Sequence, residues 1–446
     1  MKQCRLFLIA MALAVASCQS DVGEEVRVVE QPAECDVASI YAISEEEAIE
    51  NLNEFMAAFD GAETRANPRV VKRVESVKLD NVCATRSSEE LDIDNLFYIV
   101  EFEDGQGSAV LGADRRLTPV YAVLDESVLT KDDFVNALNG EDTEDVATFT
   151  AGVIARSFDP NPNPITPPGG GFNTDMYNDI TTTSVLEYLP PLLNTKWGQC
   201  DIFNDRFREK KTAFTDGQQC AGCATIALAQ ILNYHSYPSP IVLDGHTFYW
   251  SDINQFNRSN FEIASADSVL VDKMSNYIYR LAQDLDVTYY SDGSTGASIE
   301  DVRRVMASQG YKHFSIGDIT RERIYPMIWT NRPVYARGSV RTDEGGHAWV
   351  IDGWKTIETS RILITYDGYG VEKSRQTLSS YQTYYVHCNM GYYGKCDGYY
   401  TLDLFDLSDE RNGDEYESDY GDIRDTMPAS THRFAYDLKS LTYDFQ

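Results

Sequence analysis

The sequence predicts an α+β protein built from two units, and three observations carry that expectation. A helical pattern between Ile40 and Phe59 gives way to short strand-like runs that end near residue 155. A helix-patterned stretch around Cys223 is followed by strands concentrated later in the chain. Between the two lies DPNPNPITPPGGGFNTD, Asp159 to Asp175, whose Pro, Gly and Asn content marks an exposed linker and a place for proteolytic nicking. With 446 residues the chain is long enough for two or three domains, each with its own core.

Taken in order, residues 1–18 begin with Lys2 and Arg5, continue through an apolar run from Leu6 to Val15, and end in small residues before Cys18. That is an export signal with too short a core to anchor a helix in a membrane. Val15-Ala16-Ser17-Cys18 resembles the lipobox of bacterial lipoproteins, which implies lipidation of Cys18 as the mature N-terminus. An ordinary signal cleaved elsewhere is the alternative. Membrane attachment is expected only through that lipid, with display on the cell surface and later release of the second unit both open. Residues 19–37 read as a polar tether. In YAISEEEAIENLNEFMAAF, Ser44 is the expected N-cap with Glu47 three residues on, and Ala48, Leu52, Phe55 and Phe59 share a face. Strand-like runs follow at Leu96–Gly105 and in GSAVLGADRRLTPVYAVL, with a polar helix start at Thr130 to Leu138, which closes a unit of residues 38–155. Residues 156–178 form the linker, in which Arg156 is a conceivable processing point, and residues 179–446 form the larger unit. There, Gly345–Trp354 reads as a strand and Arg361–Gly370 as its hairpin neighbour. The ten carboxylates between Asp403 and Asp425 read as a solvated loop, because they lack the spaced Asp/Asn and Gly pattern of a calcium loop.

The 70 acidic residues against 38 basic ones, a net charge of −32, leave no basic excess for nucleic acid. Five of the nine cysteines lie in the second half: Cys200, Cys220, Cys223, Cys388 and Cys396. Local pairing of five leaves one thiol over, as a cysteine nucleophile requires. The Cys220-x-x-Cys223 spacing supplies two zinc ligands, but no second CxxC or HxxxH completes a site, and no strand precedes it as in redox dithiols. No cofactor or metal is expected.

The nucleophile reading does better. Cys223 follows Gly222 and opens ATIALAQILNYH, where a helix N-terminus and a histidine across a cleft would stabilise a thiolate. Of six histidines, His235 is a helix length away and cannot reach. His246 and His313 read as structural or exposed, and His432 carries no partner signal. His387 precedes Cys388-Asn389. His347 follows two glycines and opens the apolar run HAWVIDGW, which suits a partner at the end of a buried strand.

These blocks together resemble the streptopain family of papain-like cysteine peptidases. TKWGQ (Thr195 to Gln199) is similar to its oxyanion segment, AGCATIALAQILNYHSYP to its nucleophile helix, GGHAWVIDGW to its histidine strand, and HCNMGYYGKCDGYY to its asparagine segment. YYSDGSTGA and RPVYARGS resemble blocks between these. The resemblance implies a two-lobed catalytic domain, one lobe helical and one an antiparallel sheet, preceded by a small α+β prodomain that inhibits in cis. It implies Cys223 as nucleophile, His347 as general base and acid, Gln199 as oxyanion donor and Asn389 as the group orienting the imidazole. With Cys223 as nucleophile, Cys220 reads as a disulfide half, with Cys200 one candidate partner and Cys388–Cys396 a candidate second pair; five cysteines do not fix a connectivity. One departure stands out: the family pattern N-W-G-W-G-G reads Asn389-Met390-Gly391-Tyr392-Tyr393-Gly394 here, so a flexible methionine replaces the tryptophan expected to shield an Asn389–His347 hydrogen bond. The expected function is hydrolysis of protein or peptide substrates by a secreted zymogen. A peptidase-fold surface binding protein without turnover, and a surface inhibitor acting through its first unit, are the rivals.

Overall fold

A computed structural model describes residues 42–60, 68–78, 95–114, 117–139, 145–156, 177–207, 209–212, 215–290, 295–339, 346–366, 372–405 and 436–445. The export signal with Cys18, the tether, the centre of the linker, most of the acidic stretch and His432 lie outside the described residues.

The first unit opens with helix α1 (Glu45–Phe59), whose N-terminus is capped by the Ser44 hydroxyl accepting the Glu47 N–H at 3.2 Å. Its buried face is Ala48, Leu52, Phe55, Met56 and Phe59. Each of the larger side chains contributes about 1.5–3 kcal/mol of burial. They pack on one face of strands β1 (Val71–Lys78), β2 (Asn95–Phe102), β3 (Ser108–Gly112) and β4 (Val120–Leu124). Helices α2 (Lys131–Asn139) and α3 (Val146–Arg156) contribute Phe134, Phe149 and Ile154 to the larger core that also contains β3 residue Val110 and β4 residue Leu124. Coverage on both faces explains why β3 and β4 are buried along their whole length, with no polar alternation.

The expected linker, 156–178, overlaps described elements only at its ends, where Arg156 closes α3 and Tyr177 opens strand β5 (Tyr177–Leu189). Helices then dominate: α4 (Cys223–His235), α5 (Ser268–Leu285), α6 (Ile299–Ser308) and, after strand β6 (Lys312–Gly317), α7 (Arg321–Trp329). Strands β7 (Val334–Ser339), β8 (Gly346–Tyr366), β9 (Glu372–Asn389), β10 (Gly398–Thr401) and β11 (Tyr436–Asp444) complete an antiparallel sheet of order β1-β2-β3-β4-β10-β9-β8-β7-β11-β6. β5 pairs with the distal half of β8. The α+β class holds. One element differs from expectation: Arg361–Tyr366 is the continuation of β8, and the hairpin neighbour is β9. No turn residue interrupts KTIETS between the two halves, and Ile357 at its centre is buried, so the strand runs on for 21 residues.

The sheet does not stop between the units. β4 pairs with β10 through Ala122–Tyr400, Val123–Tyr399 and Leu124–Gly398. The first unit is therefore joined to the second by backbone pairing next to the segment that carries Asn389 and Met390.

Candidate active site

Helix α4 starts at Cys223 because Gly222 turns the chain with φ +90°, and a Cβ there would fall 2.8 Å from the Thr295 carbonyl oxygen. Ala224 through Leu232 are all buried, so the helix is held on every side and packing fixes the thiol at its N-terminal end.

His347 is the second residue of β8, opposite Gly338 of β7, and is 8% exposed. Its Nε2 lies 2.9 Å from the Met390 carbonyl oxygen. A carbonyl only accepts, so Nε2 carries the proton and the neutral ring keeps its lone pair on Nδ1. The rings of Phe149, Tyr392 and Trp349 surround it at centroid distances of 5.4, 5.5 and 6.3 Å. Burial lowers its pKa to about 4, against a smaller opposing effect of the Met390 carbonyl. Burial also raises the Cys223 thiol, despite backbone hydrogen bonds at Ala348 and Ala224 and the charge of Arg337. Desolvation thus outweighs the helix N-terminus, and both groups are neutral in this covered state.

Gln199 sits on the wall of the same cleft, a cavity of about 650 Å³ shared with Cys223, His347 and Arg337. Its Nε2 is buried with no hydrogen-bond partner among the described residues. Buried donors left unpaired in this way are costly, and this one, on the cleft wall, is placed to meet an acceptor that enters the cleft.

Asn389 does not do what the sequence suggested. Its Oδ1 accepts from Gln230 Nε2 at 3.0 Å and from the Gly391 N–H at 3.1 Å, while its Nδ2 donates to the Thr195 carbonyl at 3.0 Å. Its capacity is spent inside the core, and among the described residues no hydrogen bond joins it to His347. The backbone of Met390 orients the imidazole instead. The expected shielding problem changes with it, because the contact comes from a main-chain carbonyl and the Met390 side chain is itself buried.

The expected disulfides also differ. Cys200 and Cys220 approach to 3.2 Å between Sγ atoms, close contact but not a bond. Cys388 and Cys396 are separate buried thiols, because Cys388 lies against Trp349 and Cys396 against Thr150 of α3. His235, at the far end of α4, contacts Tyr443 Oη at 2.9 Å.

Three features escaped the sequence. Helix α3 lies over the cleft, placing Val146 and Phe149 on its wall. Its one legible signal was Asp145, whose carboxylate accepts the Ala147 and Thr148 N–H groups as an N-cap. His387 is held between Asp352 Oδ1 at 2.6 Å and, from the first unit, Asp125 Oδ2 at 3.3 Å. Tyr393 adopts φ +58° beside the Gln199 segment.

Residues 197–400 match the Peptidase C10 family. Streptopain of Streptococcus pyogenes is 25% identical over 233 residues, 46% of this chain and 51% of that protein, and the serotype M1 streptopain matches equally. The chain thus spans about half the length of these curated relatives. Among solved structures, it is similar to a prointerpain A fragment of Prevotella intermedia, with TM-score 0.48 and 17% identity over 79% of this chain and 96% of that one. Active interpain A of the same organism gives TM-score 0.35 and 21% identity over 48% of this chain and 85% of that one.

Proposed function

We propose, from the match of residues 197–400 to the Peptidase C10 family, that the chain is a member of that family and a cysteine endopeptidase made as a zymogen. The observation that carries this reading is Gln199 Nε2, without a hydrogen-bond partner among the described residues and buried on a cleft wall shared with Cys223 and His347. A binding protein has no reason to keep a buried donor unsatisfied beside a thiol and an imidazole.

In the proposed reaction the Cys223 proton passes to His347 Nδ1, the nitrogen left with a lone pair, while Nε2 stays on the Met390 carbonyl. The sulfur attacks the scissile carbonyl carbon, and the developing oxyanion takes a hydrogen bond from Gln199 Nε2. His347 then gives its proton to the leaving nitrogen, the C–N bond breaks, and a thioester remains. Water, deprotonated by Nδ1, hydrolyses it and restores the thiol.

The first unit acts as the inhibitor. Phe149 against the His347 ring, the Lys395–Asp145 ion pair at 2.8 Å and the β4–β10 pairing support that role. Cleavage in the linker and withdrawal of α3 would rehydrate the cleft, removing the cause that raises the thiol and lowers the imidazole. Lipid attachment at Cys18 is proposed to tether the precursor. Mass analysis of the exported protein tests it, with an unmodified Cys18 or a cleaved N-terminus elsewhere as the refuting result.

The decisive experiment is labelling by an epoxide-type cysteine-peptidase inhibitor, read by peptide mass, with Cys223→Ala as control. Modification at Cys223 after linker cleavage, and slow modification in the intact chain, is expected. Reduced, folded, cleaved protein that stays unlabelled would overturn the reading in favour of a surface binding protein. In active protein, Gln199→Ala should lower kcat by about 10²–10³-fold.

A further inference from the structure

Gln199 does not hold itself in place. It lies in a segment of irregular backbone, and its side-chain Nε2 has no hydrogen-bond partner among the described residues to steer it. The Ala221 N–H donates to the Gln199 carbonyl at 2.8 Å and the Trp197 indole to the Phe256 carbonyl at 2.8 Å, and the residues flanking Gln199 are further held by Tyr393 of the loop after Asn389. The Tyr393 hydroxyl donates to the Cys200 carbonyl at 2.6 Å and accepts the Cys200 N–H at 3.2 Å. The Tyr393 N–H donates to the Trp197 carbonyl at 3.1 Å. Between those anchors its ring lies on Gly198, where a Cβ would fall 2.0 Å from the Tyr393 ring. Gly198 is therefore required by the tyrosine above it. The contacts bracket Gln199 on both sides, at residues 197, 198 and 200.

Tyr393 reaches this position only by adopting φ +58°, a left-handed conformation that bulky side chains rarely take. Strain of this kind persists where surrounding contacts over-determine it and collects at functional sites. The same short loop carries Met390, whose carbonyl orients His347. One loop therefore bears on the base through a carbonyl and on the oxyanion donor through a phenol.

We propose that Tyr393 is a positioning residue that clamps the Gln199 segment and aims its side-chain amide at the oxyanion. The inference rests on the peptidase reading for its catalytic consequence, but the clamp itself is a property of the fold.

The test is Tyr393→Phe, which removes the hydroxyl and keeps the ring and the backbone N–H. In the full chain cleaved at the linker, kcat on a peptide substrate should fall about ten- to a hundredfold with KM little changed, because a donor displaced from the oxyanion loses transition-state binding alone. In a Gln199→Ala background the same change should cost nothing further, since the group being aimed is gone. A purely structural role would multiply through both backgrounds. Independently of turnover, hydrogen exchange of the Cys200 amide in the intact chain should speed up on Tyr393→Phe. Unchanged kcat in active protein, an equal loss in both backgrounds, or unchanged exchange at Cys200 would each overturn the clamp. Faster exchange in a protein that turns over no substrate would sustain the clamp and overturn the peptidase reading alone.

Discussion

His347 and His387 sit on neighbouring strands of one sheet, both buried, and their proton affinities are driven in opposite directions. Around His347 the neighbours are rings and one carbonyl, so burial dominates and the pKa falls to about 4. Burial also acts against charge on His387, but the carboxylates of Asp352 and Asp125 outweigh it and raise the pKa to about 10. Asp125, in turn, is pushed up by burial yet ends below its ordinary value through the His387 hydrogen bond and charge. The contrast teaches what a base needs. An imidazole locked into a permanent ion pair cannot cycle a proton near neutrality, whereas one held by a neutral carbonyl keeps a lone pair to use.

Exchanging the two roles by mutation gives the largest expected effects. His347→Ala should lower kcat/KM by about 10⁴-fold or more, while the unpaired Met390 carbonyl costs roughly 1–3 kcal/mol of stability. Peptide turnover and urea unfolding, measured side by side, check both halves. His387→Ala should do the reverse. With Asp352 fully buried and Asp125 left without its partner, about 3–5 kcal/mol of stability should be lost in urea unfolding, while cleaved protein that remains folded keeps most of its kcat. Comparable loss of turnover in both variants would dissolve the distinction.

The pH dependence follows the same divide. The folded pKa of His347 is below its ordinary 6.5, so its contribution to stability is present above pH 6.5 and is lost as pH falls toward about 4. For His387 the folded pKa is raised, so its contribution is complete below pH 6.5 and is lost as pH rises through about 10. Acid should therefore loosen α3 over the cleft, read as faster Cys223 labelling relative to the same chain after linker cleavage. A ratio constant from pH 7 to pH 4 would contradict this.

The smallest effect concerns the cover. Phe149→Ala removes the ring against His347 and should speed Cys223 labelling of the intact chain by roughly tenfold, equivalent to about 1.4 kcal/mol of lost docking. The cleaved form should label at an unchanged rate.

Much of this is legible in the sequence alone. Local periodicity exposed α1, with Ser44 as its cap, because helix faces and caps are set by residues three and four apart. The α4 start at Cys223 was visible in the same way, since Gly222 and the apolar run after it are neighbours in sequence. Ordered motif blocks also named Gln199, Cys223 and His347, which the structure brings to one cleft. The hydrogen bonds of Asn389 were not legible, because the motif fixes which residue is present while its partners are fixed by what surrounds it. Gln230 and Thr195 are distant in the chain and fill its valences.

What folding alone decided follows from long-range contact. Whether a buried imidazole is neutral or charged depends on Asp352 and Asp125, which lie 35 and 262 residues from His387. The meaning of Tyr393, a departure from the glycine of the family pattern, depends on Gly198 and Cys200 across the cleft. The sequence determined which chemistry is available, because side-chain identity and local spacing are written in it. Tertiary structure decided which of those groups are desolvated, paired or left waiting, because electrostatics and hydrogen bonding act through space and take no account of sequence separation.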